Sequence, residues 1–113
     1  MTETEVIKAL SALAQETRLR IFRCLVVAGR DGLTPTRLSE ALDTSPAALS
    51  FHLKELSHAG LAHAERVGRH LIYRADVEAM NTLLGFLTDN CCGGEPCLHV
   101  GLPGAALSPC ERC

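Results

Sequence analysis

Nowhere in the 113 residues is there a run of 18 apolar side chains, so no segment is expected to cross a bilayer as a helix. The first ten residues, MTETEVIKAL, hold two glutamates and no apolar run behind a basic start. No secretory signal is read there, and a cytoplasmic address is expected. No internal repeat is visible, which argues against solenoids and repeat arrays. Nor is there an excess of positive charge: 11 Lys and Arg stand against 13 Asp and Glu, a net of −2. That sum by itself disfavours a polyanionic partner. What is present is an ordinary globular balance, 47 % apolar and 21 % charged, which argues against disorder throughout. The length suits one domain.

The distribution of charge says more than the sum. From residue 46 to 74 the basic residues are Lys54, Arg66, Arg69 and Arg74, against Glu55 and Glu65. His52, His58, His63 and His70 lie in the same span. The middle of the chain is therefore locally basic and the remainder acidic.

Residues 34–61, TPTRLSEALDTSPAALSFHLKELSHAGL, organise that region. Thr34 before Pro35 is a helix start, a hydroxyl cap followed by a residue whose missing N–H costs nothing at the first position. Ser45 before Pro46 repeats the signal. Leu38 and Leu42 share one face of the first short helix; Leu49, Leu53 and Leu56 form one stripe on the second. Asp43 and Thr44 suit the turn between them, and Gly60 suits the end. A short helix, a tight turn and an amphipathic second helix make a helix-turn-helix pattern, whose second helix enters the DNA major groove. Any two helices of a small bundle would show the same leucine spacing.

Around this unit, residues 3–14 predict a first helix with Val6, Leu10 and Leu13 on one face and Ile7 beside them. Residues 17–28 predict a second. Its rows are Leu19, Phe22 and Val26, then Ile21 and Leu25, with Arg18, Arg20 and Arg23 outward. Residues 61–66 and 70–75 predict a β-hairpin about Val67-Gly68-Arg69, with Leu71 and Tyr73 on one face. Arginines on both sides of Gly68 allow its tip to lie along a phosphate backbone, or it is simply a solvated hairpin. Asp76 starts a last helix, where Val77, Met80, Leu84 and Leu87 make a stripe widened by Leu83 and Phe86. So broad an apolar face, with the first helix, is expected to pair with a second copy; the alternative is simple packing on the chain's own core. Beyond Asn90 glycine and proline are frequent, and helix is not expected to persist. The expected division is a DNA-binding and dimerisation domain over 1–90 and a cysteine-rich tail over 91–113.

The order helix, helix, helix-turn-helix, hairpin, helix describes a mainly α, winged helix-turn-helix fold. In this order the chain resembles the ArsR family of metal-responsive bacterial repressors. The resemblance is carried by TRLRI (17–21), LSEAL (38–42), SPAALSFHLKEL (45–56), AGL (59–61) and RVGRHLIY (66–73). It covers about residues 5 to 90. It implies a non-enzymatic homodimer on a two-fold-related operator in double-stranded DNA, released when a metal or metalloid binds. The family's recognition-helix pattern falls on Ser45, Ala47, Ala48, Ser50, Phe51, His52 and Lys54, and its wing on Arg66, Arg69 and His70. The chemistry agrees in part: Ser45, Ser50 and Lys54 can donate to phosphates or base edges, and alanines can touch thymine methyls. His52 is alternatively a core residue satisfied by a neighbour. Two family metal sites are missing. Residues 26–37 hold no cysteine, and the last helix has no histidine to partner Asp76 or Asp89.

The remaining chemistry is in the cysteines. One of six, Cys24, lies in an apolar helical run and is most simply a small core residue. The other five fall within the last 23 residues. In Cys91-Cys92-Gly93-Gly94-Glu95-Pro96-Cys97, flexible residues allow three thiolates to meet at one point. Soft thiolates select soft ions. The cluster is similar to the C-terminal cysteine tail of some arsenic-responsive family members, and that resemblance implies As(III) as inducer at Cys91, Cys92 and Cys97, with Sb(III) as a further ligand. Zn or Cd remains open, completed by His99, Cys110 or Cys113. So does a thiol redox switch using Cys91, Cys92 or the Cys110–Cys113 pair. A thiol enzyme would need an arginine-bearing anion loop after its nucleophile, and none follows Cys91 or Cys92.

Overall fold

Each of the five helices begins on a side-chain oxygen that accepts a backbone N–H three residues on, and these caps set the element boundaries. A computed structural model describes residues 1–89. Helix α1 (Glu3–Leu13) starts on Thr2, and α2 (Glu16–Ala28) on Gln15. Helix α3 (Pro35–Leu42) starts on Thr34 and α4 (Pro46–His58) on Ser45, each with proline in its first turn. Helix α5 (Val77–Leu87) starts on Asp76, whose carboxylate accepts from the Ala79 amide at 2.8 Å. Between α2 and α3 a single 3-10 turn, Gly29–Asp31, reverses the chain. Strands β1 (Ala62–Val67) and β2 (His70–Ala75) form the antiparallel wing.

The core is small and almost wholly aliphatic. Leu49, Leu53 and Leu56 on α4 are buried, as are Leu38 on α3 and Ile21, Phe22 and Leu25 on α2. Val6, Ala9 and Ala12 of α1, Leu61, Ala62 and Leu83 complete it. The expected leucine stripe of α4 therefore faces inward as its spacing requires. Cys24 is half-buried and packs against this core.

The turn between α3 and α4 works through backbone geometry. Asp43 takes a left-handed conformation with φ of 49°, which short polar side chains tolerate. The Thr44 amide donates to the Ser39 carbonyl at 3.1 Å, and its hydroxyl donates to the Leu42 carbonyl at 3.1 Å. At the far end of α4 the Leu61 amide donates back to the Leu56 carbonyl at 3.0 Å, across Gly60 at φ of 78°. That closure explains why β1 begins at Ala62 rather than at Leu61: Leu61 belongs to the helix end and is fully buried.

The wing pairs from Ala62 with Ala75 to Val67 with His70, and Gly68 sits in the turn. Its base is tied to the helical body twice. The Asp76 amide donates to the Leu61 carbonyl at 2.8 Å, and Leu33 and Tyr73 exchange backbone hydrogen bonds at 3.0 and 2.9 Å. Gly32 makes that second tie possible. A Cβ on it would lie 2.6 Å from Ile72 Cγ2 and from the Tyr73 carbonyl oxygen.

Three expected faces are corrected. On α1 the core side is Val6, Ala9 and Ala12, while Leu10 and Ile7 are exposed. On α2 the surface takes Leu19 and Val26 of the row assigned to Phe22, and Arg18 turns inward rather than outward. On α5 only Leu83 is fully buried; Met80 and Leu84 are half-buried, and Val77, Phe86 and Leu87 are exposed. One cause is common to α1 and α5. Each has apolar residues on more than one side, and a body this small covers only one of them. Residues 91–113, the expected tail, lie outside the described residues.

Gly32 and Gly68 both have positive φ, 65° and 63°, but only Gly32 is crowded. Gly68→Ala is expected to cost about 1–2 kcal/mol, the left-handed penalty alone. Gly32→Ala should cost more, because φ of 65° with ψ of −173° is a backbone conformation almost confined to glycine and β2 must also be displaced, roughly 3 kcal/mol or more in all. Urea unfolding of the two variants checks the difference; equal midpoints would refute the role given to Gly32.

Candidate nucleic-acid interface

Burying Leu49, Leu53 and Leu56 fixes which side of α4 faces out. The exposed residues of that side are Ala47, Ser50, Phe51, Lys54 and His58, with Ser45 exposed at the N-terminus. Ala47, Ser50 or Phe51, and Lys54 follow at helical spacing, so they form one continuous outward surface. Phe51 is 56 % exposed despite its size. Of the ten DNA-binding candidates the sequence offers, five on α4 or its cap thus share an open face. Ala48 and His52 are half-buried at its border. The Ser45 oxygen accepts the Ala48 amide at 3.2 Å, so it caps the helix while keeping its own proton to donate.

Arg66, Arg69 and His70 are exposed around the Gly68 turn, at the end of the wing away from its two ties. At the base, Arg74 is held rather than free. Its Nε donates to the Arg30 carbonyl at 2.7 Å, and Nη1 lies 3.6 Å from the Glu65 carboxylate. A groove of about 400 Å³ runs between α3, α4 and β2, with Leu49, Leu53, Leu71 and Tyr73 among its walls.

His52 is held by a residue that no sequence reading placed at the site. Arg18 Nη1 lies 3.3 Å from His52 Nδ1, and Arg18 Nε donates to the Ala12 carbonyl at 2.7 Å. The arginine therefore spans from the end of α1 to the recognition helix. The signal was available: Arg18 stands three and four residues before Ile21 and Phe22, on the buried stripe of α2. A guanidinium has only donors, so Nδ1 of His52 is the acceptor. Burial first, and then the Arg18 charge, hold the imidazole below its ordinary value, while Glu55 pulls it the other way. The Phe51 ring meets the His52 ring edge-on, with centroids 5.4 Å apart.

Among the described residues no group of three or more His, Cys, Asp or Glu side chains could hold a metal. The three candidate ligands, Cys91, Cys92 and Cys97, lie outside those residues. No described helix is long and apolar enough to cross a membrane.

Comparison with known proteins agrees with this geometry. A helix-turn-helix domain profile matches residues 13–64. An ArsR-like transcriptional regulator from Rhodococcus sp. RHA1 superposes with a TM-score of 0.68 at 32 % identity, covering 74 % of this chain and 76 % of that one. The chain belongs to the ArsR family of winged helix-turn-helix transcriptional regulators. A Halobacterium salinarum protein named as an arsenical resistance operon repressor, ArsR, is 42 % identical over 65 residues, 58 % of this chain. The chain spans half the length of that relative. A homodimeric winged helix-turn-helix DNA-binding domain from Mycobacterium bovis superposes with a TM-score of 0.60 at 25 % identity, covering 85 % of this chain and 89 % of that one. The ArsR-family assignment confirms the expected fold: five helices and a two-stranded wing in the expected order.

The lowered His52 value links this site to stability. The unfolded ring takes a proton at higher pH than the folded one, so the packing of the neutral ring, with its Arg18 contact second, contributes fully above about pH 6.5. Its contribution is lost as pH falls through the lower folded value. Urea unfolding across pH 7.5 to 5 is expected to show stability declining on acidification, and His52→Asn should flatten that decline. An unchanged slope in the variant would remove His52 as its source.

Proposed function

We propose that the protein is a homodimeric repressor that grips operator DNA with α4 and the wing and is released by As(III) at Cys91, Cys92 and Cys97. The observation that carries the DNA half is the shared exposure of Ser50, Phe51 and Lys54 on α4 with Arg66, Arg69 and His70 on the wing. Lys54 and the wing arginines would pair with phosphates and set the register; Ser45, Ser50 and the alanines would meet base edges. Ala48 and His52, at the border of the face, complete the proposed set.

Dimerisation is supported by the apolar surface left open on α1 and α5. Ile7 and Leu10 on the first, and Val77, Phe86 and Leu87 on the second, are large and exposed. A second copy covering them would remove that area from water. The Mycobacterium bovis domain is itself homodimeric, which supports a dimer here. Two recognition helices on one duplex must meet major grooves about 34 Å apart, so a small change in dimer geometry loses contacts.

The choice of inducer rests on the cysteines in sequence and on the arsenical resistance named for the Halobacterium relative. Three thiolates from Cys91, Cys92 and Cys97 form a soft donor set for As(III), and for Sb(III) after it. The trio follows closely on α5, which ends at Leu87. Binding there would bear on the proposed dimer face, and a coupling of about 1–3 kcal/mol is enough to weaken DNA binding roughly 5- to 150-fold.

A gel shift on a palindromic fragment from upstream of the protein's own gene tests the whole reading. Arsenite should release the wild type. Serine at Cys91, Cys92 or Cys97 should keep DNA binding and abolish release. Release by zinc or cadmium, or by peroxide, in place of arsenite would overturn the inducer and point to the corresponding switch on the same fold. Lys54→Ala should weaken binding and lower the slope of log affinity against log salt by about one, the signature of one lost phosphate contact.

A further inference from the structure

Arg18 is a cation on the core side of α2, and the surface reading of the helix leaves it without a purpose. It has two partners: the Ala12 carbonyl at 2.7 Å and His52 Nδ1 at 3.3 Å. Its own backbone amide is held by the Gln15 side chain at 2.7 Å, which fixes the start of α2 beneath it. Two groups on different elements thus hold the guanidinium, and a third holds the backbone that carries it.

Nδ1 is the acceptor in the Arg18 contact, so the single proton of a neutral ring is on Nε2. Nε2 has no hydrogen-bond partner among the described residues. No fully buried side-chain nitrogen or oxygen there lacks a partner, so Nε2 of this half-buried ring is not fully enclosed. His52 stands at the border of the exposed face of α4, next to Phe51 and two residues before Lys54. Phosphate contacts position a protein on the duplex and base-edge contacts read its sequence; a donor at the border of the face, rather than at its centre, is placed for the first.

We infer that Arg18 is a positioning residue for DNA binding, holding His52 in the Nε2–H tautomer so that the ring donates to a phosphate oxygen at the flank of the recognition helix. The inference rests on the DNA-binding reading above. The arginine itself stays behind the ring and does not touch the duplex. The guanidinium polarises the imidazole from the Nδ1 side, which makes Nε2–H a better donor. The charged groups acting on the ring are Arg18 from α2 and Glu55 from α4. Protonation of Nδ1 would place two cations against each other and break the contact, so the neutral ring is the working form.

The test has two parts. Long-range proton–nitrogen NMR of the full-length protein should show His52 as the Nε2–H tautomer at pH 7.5, titrating below the ordinary imidazole value. Arg18→Gln should mix the tautomers and raise the midpoint, and Arg18→Lys, unable to span both acceptors, should not restore them. Fluorescence anisotropy then uses the duplex that the wild type enriches from a randomised pool. Arg18→Gln and His52→Asn should each weaken binding about tenfold, the size of one hydrogen bond to a charged group, and the double variant should be no weaker than the weaker single. An Nδ1–H ring in the wild type, or losses that multiply in the double variant, would overturn the inference. If Arg18→Gln does not fold, the wild-type tautomer and His52→Asn decide it, since neither removes the arginine. If no duplex is enriched, the DNA-binding reading fails and the donor role fails with it, whereas a correct tautomer with unaltered affinity in His52→Asn overturns the donor role alone.

Discussion

The inward stripe of Leu49, Leu53 and Leu56 is the constraint from which the rest follows. Each of these side chains is buried, and burying a leucine contributes on the order of 1.5–3 kcal/mol. Turning α4 by one residue, about 100°, would expose that stripe and bury Ser50 and Lys54 unpaired. The apolar requirement on one side of α4 therefore dictates the polar display on the other. Helices α1, α2 and α3 supply the surface on which that stripe rests.

The wing depends on the same body at its base and not at its tip. Leu61 closes α4 and takes the Asp76 amide, while Leu33 pairs with Tyr73 across the gap that Gly32 leaves. The tip carries Arg66, Arg69 and His70 without such ties. A firm base and an exposed tip suit an element that must keep its position relative to α4 and still follow a duplex. The Arg18 contact adds a polar link within the body, running from the end of α1 to the border of the recognition helix. It joins the region proposed to dimerise to the region proposed to hold DNA through one side chain rather than through packing alone.

The exposed apolar residues of α1 and α5 belong to the same economy of size. A domain with so few layers has one core, and a helix at its edge can bury one face only. Ile7, Leu10, Phe86 and Leu87 are large and exposed, and they are the surface that the proposed second copy would cover. Coupling between a thiolate site and DNA would then pass through the geometry of two copies, a requirement on the proposed switch that a monomer could not meet.

Local chemistry made most of the architecture legible in the sequence alone. Thr34-Pro35, Ser45-Pro46 and Asp76 announce helix starts because capping is decided within three residues, and all three caps form. Leucine spacing placed the core side of α4, and Gly68 placed the wing turn, since both depend on period and backbone freedom. Tertiary structure alone decided which of several apolar sides of α1, α2 and α5 is covered. Period shows that Val6, Ile7 and Leu10 are apolar, not which of them meets another helix. It also decided that Arg18 and His52, 34 residues apart in sequence, share a hydrogen bond. No local pattern encodes that pairing, because it exists only once α2 and α4 cross.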